Sequence, residues 1–377
     1  MMPDVAVVGA GSFGAWTARC LRRAGLEVLL LDAYGPGNAR ASSGGESRII
    51  RAGYGPDELY SRLSLRSLPD WKALGAETGE ALFQQTGVLW LAHDGDAYAT
   101  ATLGTLVRLG VRHERLTPEE LSARYPQFAF APGTWGMLEP EGGALLARRA
   151  VQAVVRQAVR EGVVYRTAAV RPLAGSGEVA TTAGEALGAG TVVFACGPWL
   201  PRLLPHLLGE RIFPTRQEVF FFGPPAGNDA FAPPRMPAWI DFGEEVYGLP
   251  DLECRGFKVA PDRHGPPFDP EAGERIVPGE SVARVRAFLA RRFPALAGAP
   301  LLETRVCQYE NTSNGDFLID RHPDREDVWI VGGGSGHGFK HGPAVGAHVA
   351  DRIVGGAPGE PRFAFDTKET RQERAVY

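Results

Sequence analysis

Residues 4–32 run as a strand, a glycine-rich turn, a helix and a second strand ending in an acid, and that order predicts an α/β fold. The class is a Rossmann-like, parallel βαβ domain joined to an α+β domain with a mainly antiparallel sheet. Two further observations support it. Buried-strand runs recur at 191–196 and 327–332, so the parallel sheet is assembled from discontinuous segments. Between them, a β-rich stretch begins at 217–222 and continues through Tyr247 to 257–259.

Each element has a local cause. Val5, Ala6, Val7 and Val8 form an uninterrupted apolar run, as in a strand covered on both faces. Gly9, Gly11 and Gly14 follow at GxGxxG spacing. The first permits a tight turn, the second lets backbone approach a pyrophosphate, and the third lets helix and strand pack closely. The helix opening at Ser12 offers free N–H groups and a positive dipole end. Ala18 and Leu21 continue its pattern, and Gly25 stops it. The strand 28–31 then ends in Asp32. A carboxylate there accepts hydrogen bonds from adenosine ribose hydroxyls and disfavours a 2′-phosphate. A dinucleotide site is the reading of this whole context; the motif does not separate NAD from FAD.

A small-residue loop from Gly35 to Ser47 leads to Arg48 and Arg51. Three apart, they can serve one anion or a flavin ring; a pair of surface arginines is the plain alternative. Residues 59–74 read as an amphipathic helix interrupted near Pro69, and 83–92 as a strand pair turning at Gly87. Residues 96–109 read as helix. Thr117, Pro118 and Glu120 form a capping-box start for another. Helices follow at 146–161 and 281–293. The strand 191–196 turns at Gly197 and Pro198 toward a helix. After 327–332, Gly333, Gly334 and Gly336 make a second glycine-rich turn before a final helix at 345–353. That is a second backbone platform for a cofactor, of which a simple nicotinamide dehydrogenase has no need.

The 377 residues correspond to two or three domains at about 150 residues each. Hydrophobic residues at 44% and charged residues at 22% exclude collagen-like, fibrous and extensively disordered chains. A net charge of −4, with signs interspersed, argues against a nucleic-acid or anionic-lipid surface. The longest apolar runs fall far short of the ~20 residues of a membrane span. Cysteines at 20, 196, 254 and 307 form no CxxC pair, so no metal site is expected. The first residues carry no signal-peptide pattern, and a cytoplasmic chain with free thiols is expected.

Four blocks resemble the monomeric sarcosine oxidase and N-methyltryptophan oxidase group, within the glycine oxidase and D-amino-acid oxidase superfamily. They are 5–32; 47–51 with Gly53, Tyr54 and Gly55; 305–309 with 316–320; and 334–340. Weaker echoes lie at 86–89, at Glu139 and Pro140 before Gly143, and at 256–258. The blocks keep family order along essentially the whole chain.

The resemblance implies a glutathione-reductase type FAD domain at 1–83, 141–215 and 305–377, and a substrate domain at 84–140 and 216–304. It implies FAD bound covalently through the sulfur of Cys307, held by Gly9, Gly11, Ser12, Gly14, Asp32 and Ser43. Arg48, Gly334, Gly336, Gly338 and Lys340 complete that set. A thiolate is the nucleophile such a bond requires. Arg51 and Lys340 match a clamp for the substrate carboxylate, with Tyr247 and Tyr309 lining the pocket. Lys258 matches a lysine implicated in oxygen activation, Arg48 a basic residue beside the flavin, and His337 an active-site histidine. A buried core histidine is the plain alternative for His337.

The implied activity is oxidation of a secondary amino acid through hydride transfer to flavin N5. The imine is then hydrolysed and O₂ is reduced to hydrogen peroxide. The implied partners are a small amino acid and O₂, with no nucleic acid and no membrane, and the implied state is a monomer. Two departures touch the pocket. Asp262 stands where the sarcosine enzymes have a histidine, and Val246 where they have a tyrosine. A glycine-oxidase-like enzyme, a cyclic imino acid oxidase and a flavin dehydrogenase using another electron carrier therefore stay open. A nicotinamide dehydrogenase would leave the Cys307 block unexplained. Arg51, Lys258 and Lys340 argue against a non-catalytic flavoprotein.

Overall fold

The structure is a computed structural model that describes residues 2–173 and 178–373. A six-stranded sheet forms its centre. In spatial order the strands are Leu318–His322, Arg325–Gly332, Thr191–Phe194, Val5–Val8, Val28–Asp32 and Val164–Thr167. All pairs are parallel except the first. Val5 pairs with both Val28 and Thr191, so the first strand lies inside the sheet with both faces covered. The helix Ser12–Arg23 packs on one face with Ala147–Arg160 and Gly342–Gly355. Residues remote in sequence thus close the layer, as the scattered strand runs require.

An eight-stranded sheet stands beside it. Its order is Leu301–Asn311, Phe213–Phe222, Phe257–Pro261, Val246–Leu249, Ala238–Asp241, Val88–His93, Thr134–Glu139 and Glu114–Leu116. Every pair is antiparallel except Ala238–Asp241 with Val88–His93. Side chains alternate between its faces. Phe220, Phe222, Trp239 and Phe257 gather with Phe288 and Phe293 of the helix Gly279–Arg292 and its end. Val88, Trp90, Ile240 and Leu249 take the other face. A three-stranded antiparallel sheet of Arg48–Ile50, Gly143–Leu145 and Phe83–Gln84 joins the two units.

Three expectations change. The helix Glu58–Thr78 runs through Pro69 without a break, because Tyr60, Trp71 and Leu74 anchor it on both sides in the core. The strands at 83–92 do not pair with each other. Phe83–Gln84 joins the small sheet and Val88–His93 the large one. The strands Phe213–Phe222 and Leu301–Asn311 cross the expected domain limits at 215/216 and 304/305, because they pair along nearly their whole length. Other elements lie within a few residues of their expected places. The capping box forms as read: Glu120 N donates to Thr117 Oγ1 at 3.3 Å, and Thr117 N to Glu120 Oε2 at 2.8 Å. Among the described residues no helix is long and apolar enough to cross a membrane.

Candidate active site

The first turn is shaped by what glycine lacks. Gly9 has φ +105°, and a Cβ there would lie 2.3 Å from Ala195 O on the neighbouring strand. A Cβ on Gly14 would lie 1.8 Å from Gly9 O. Gly11 differs: a Cβ there would meet only Ser43 Oγ, at 3.4 Å, so its backbone borders open space. Asp32 accepts from Ala10 N at 2.8 Å and Tyr34 N at 2.9 Å. Burial pushes its pKa up, and these bonds pull it back. Ser12 Oγ donates to Phe339 O at 2.8 Å, tying the first glycine turn to the second.

Between the turns lies a cleft of about 820 Å³. Gly9, Gly11, Ser12, Asp32 and Ser43 line it, as do Arg48, Cys307, Tyr309, Gly334, Gly336 and Gly338. The cradle of bare glycine backbone, the acid at the strand end and the cleft's volume fit a dinucleotide. Ala168, Val170, Thr182 and Glu310 also line it and carried no signal in the sequence. Glu310 accepts from Gly334 N at 3.0 Å, and burial pushes its carboxyl up to about 7.

Strand register assembles the other end. Pairing of Cys307 with Gln217, of Phe221 with Lys258, and of Tyr247 with Ala260 places these residues on one sheet face. By the two-residue period, Arg305, Tyr309 and Asp262 share that face. Arg48 Nη2 lies 3.5 Å from Cys307 Sγ, although 259 positions separate them. Arg48 also donates to Ser47 O at 2.8 Å and Ser42 O at 2.5 Å. Lys258 Nζ donates to the same Ser47 O at 2.9 Å. Burial, then the Arg48 cation, drives the Lys258 pKa well below its ordinary value.

Arg51 and Lys340 meet around Tyr54. The Arg51 guanidinium sits 4.2 Å from the Tyr54 ring centre and 4.6 Å from that of Trp90, and it donates to Gly53 O. Lys340 Nζ donates to Tyr54 OH at 2.6 Å and to His337 O at 2.9 Å. Burial, then Arg51, lowers the Lys340 pKa well below its ordinary value. Glu139 fixes this loop by accepting from Ala52 N at 2.6 Å, Gly53 N at 3.0 Å and Trp90 Nε1 at 2.9 Å. The sequence marked Glu139 only as a weak echo, and gave Tyr54 no role.

The expected residues do not all reach the cleft wall. Arg48, Cys307 and Tyr309 line it; Arg51, Lys258, Tyr247, His337 and Lys340 do not. Lys258 joins the set through Ser47 and lies 5.5 Å from the Tyr247 ring centre. Tyr309 OH donates to Asp262 Oδ1 at 2.8 Å, and Asp262 in turn feels Arg51 and Lys340. His337 is packed as a core residue. Its ring stacks on Phe317 at 5.1 Å, meets Tyr60 edge-on at 4.7 Å, and its Nε2 lies 3.1 Å from Gly315 O. Its backbone carbonyl accepts from Lys340 Nζ.

Residues 4–352 match the family described as FAD dependent oxidoreductase. The chain belongs to that family. It is 32% identical to the monomeric sarcosine oxidase of Streptomyces avermitilis, over 97% of each chain. It is 29% identical to the N-methyl-L-tryptophan oxidase of Salmonella heidelberg, over 99% of each. Among solved structures, the L-proline dehydrogenase of P. horikoshii shares the fold at TM-score 0.83 and 24% identity, over 97% of each chain. The expected fold and FAD dependence therefore stand. The chain is an FAD dependent oxidoreductase, and its curated relatives at this similarity are oxidases of N-substituted amino acids by name.

Proposed function

We propose that this chain is a covalently flavinylated oxidase of a secondary, N-substituted amino acid. One observation carries the reading: two buried basic side chains, Arg51 and Lys340, converge on Tyr54. An arginine offers a two-pronged donor and a lysine a point charge, together suited to a small carboxylate. The cleft residues Gly9, Gly11, Ser12, Asp32 and Cys307 would hold a flavin dinucleotide, which would supply two-electron oxidation of the amine carbon and two-electron reduction of O₂.

The protein's residues orient and tune. Arg51 and Lys340 hold the substrate carboxylate, and Tyr309 and Tyr247 bound the space beside it. Lys258 and Arg48 supply positive charge where oxygen is reduced. Cys307 Sγ, against Arg48 in the cleft wall, is the attachment atom. His337 acts as a positioning residue, its carbonyl holding Lys340. The reading includes a cytoplasmic monomer; the four cysteines, all unpaired, support a reducing compartment.

Acid precipitation tests the covalent bond. Yellow colour should stay with the pellet in the parent protein and move to the supernatant in Cys307→Ser. Colour in the supernatant from the parent protein would refute the linkage. Peroxide release is then measured with sarcosine, N-methyltryptophan, proline and glycine. Turnover of proline or glycine alone would favour the cyclic imino acid or glycine-oxidase-like reading. Flavin bleaching without peroxide would favour a dehydrogenase.

A further inference from the structure

The short turn Phe339–His341 opens the helix Gly342–Gly355, and its last two side chains both reach the Tyr54 hydroxyl. Two bonds fix the turn: His341 N donates to Gly338 O at 2.9 Å, and Trp71 Nε1 to Lys340 O at 2.8 Å. Lys340 Nζ donates to the Tyr54 oxygen at 2.6 Å, and His341 Nε2 lies 2.8 Å from the same atom. All three side chains are buried, His341 completely. The His341 ring packs against Phe317 and Tyr60, with ring centres 5.5 and 5.7 Å away, which holds its orientation.

These distances set donor and acceptor roles. Burial and Arg51 disfavour the charge on Lys340, whereas a bound carboxylate favours it. An ammonium only donates, so the Tyr54 oxygen accepts from Lys340 and its own hydrogen goes elsewhere. His341 Nε2 at 2.8 Å is at ordinary hydrogen-bond length, while His337 Nδ1 at 3.5 Å is at the limit. Nε2 accepts only when the ring is neutral with its hydrogen on Nδ1. Burial, then Lys340, His337 and Arg51, lowers the His341 pKa well below its ordinary value, and the Leu63 backbone acts the other way. A neutral ring agrees with the geometry.

We propose that His341 is a positioning residue for the carboxylate clamp: it takes the Tyr54 hydroxyl hydrogen, turns a Tyr54 lone pair to Lys340, and so directs Lys340 toward the ligand. The inference rests on the assignment of Arg51 and Lys340 as that clamp. Of the three ammonium N–H groups, one goes to Tyr54 and one to His337 O at 2.9 Å, which leaves the third for a carboxylate. The Arg51 guanidinium and Lys340 Nζ lie 4.2 and 5.1 Å from the one Tyr54 ring centre. Without an acceptor at Nε2 the Tyr54 hydrogen turns, and Lys340 loses its fixed direction.

Two readouts on the flavin-loaded protein at pH 7 test this. The first is calorimetric binding of methoxyacetate, a small carboxylate without an amine. His341→Phe keeps a ring and removes the acceptor. It should weaken methoxyacetate about tenfold, the scale of one hydrogen bond in a buried site. His341→Gln restores an acceptor and should bind within about threefold of the parent. Tyr54→Phe should weaken binding similarly, and His341→Phe should then add nothing, because His341 acts only through Tyr54. The second readout is nitrogen NMR of the histidine-labelled parent protein, assigned with His341→Gln. His341 should be neutral with its hydrogen on Nδ1. A hydrogen on Nε2, unchanged binding in His341→Phe, or full additivity of the two substitutions would overturn the proposal. If His341→Phe does not fold, the Nδ1 tautomer together with parent-like binding in His341→Gln supports it, and the Nε2 tautomer overturns it. A parent protein that binds no methoxyacetate but shows the Nδ1 tautomer would refute the clamp, and with it the role of His341, while the hydrogen-bond chain would stand.

Discussion

Replacing Lys258 by Met separates oxygen chemistry from amine chemistry. Lys258 is 2% exposed and, among the described residues, makes one hydrogen bond, to Ser47 O at 2.9 Å. Ser47 O also accepts from Arg48 Nη1 at 2.8 Å, so it keeps a partner when Lys258 is lost. The missing bond costs about 0.5–1.5 kcal/mol, and removing a buried cation offsets part of that. Methionine fills nearly the same volume. The fold should therefore survive with a melting temperature lowered by no more than about 2 °C. The kinetic effect should be far larger. A buried cation beside developing negative charge contributes about 3–4 kcal/mol to a transition state, or roughly 10²–10³ in rate. Reoxidation of the dithionite-reduced enzyme by O₂ should slow by that factor in a stopped-flow trace. Anaerobic reduction by the amine substrate should slow by less than about tenfold. The lowered Lys258 pKa adds a sign: its charge is present at low pH and lost as pH rises through that value. Reoxidation in the parent protein should fall along this limb, and the variant should lack it. Equal slowing of both half-reactions, or an unchanged reoxidation rate, would refute the role of Lys258.

Two further outcomes follow from the packing. Gly9→Ala puts a Cβ 2.3 Å from Ala195 O, at φ +105°. The backbone conformation alone costs about 1–2 kcal/mol, and relief of the clash must move a core strand, so soluble, flavin-loaded protein should be largely lost; a normally yellow, normally melting variant would contradict the turn geometry. Glu161 accepts from Arg19 Nη2 at 2.8 Å and Arg23 Nη2 at 2.9 Å. Burial raises its pKa, but these bonds prevail and hold it down at about 2, against an ordinary 4.5. A carboxyl lowered on folding stabilises above its unfolded value, and that stability is lost as pH falls from 4.5 toward 2. With Arg23 half exposed, solvent reduces the contribution to about 1–2 kcal/mol. Glu161→Gln should lower the melting temperature by about 1–3 °C at pH 7, and the gap should close in acid; a gap that persists at pH 2 would rule out this origin.

The adenosine end of the cleft was legible because its causes are local. The glycine turn, the helix start and Asp32 lie within 24 residues of one another (9 to 32), and their spacing states their geometry. The capping box at Thr117 was legible for the same reason. The reactive end was not legible from spacing. Cys307 became a candidate through resemblance, and its place against Arg48 depends on pairing with Gln217. His337 shows the opposite case. It sits in a striking-distance motif with Lys340, yet its ring packs among Phe317, Tyr60 and Tyr54 in the core. Pro69 misled because helix interruption is a local preference, and the burial of Tyr60, Trp71 and Leu74 outweighs it.

The sequence by itself determined the parallel nucleotide-binding layer, the two glycine turns and most helices, since these follow from short-range periodicity and backbone sterics. Only the tertiary structure decided which distant side chains share a surface. The register of one eight-stranded sheet brings Cys307, Lys258, Tyr309 and Asp262 to a single face, and a one-residue slip would turn each of them away. Register is a property of paired strands, and no segment carries it alone.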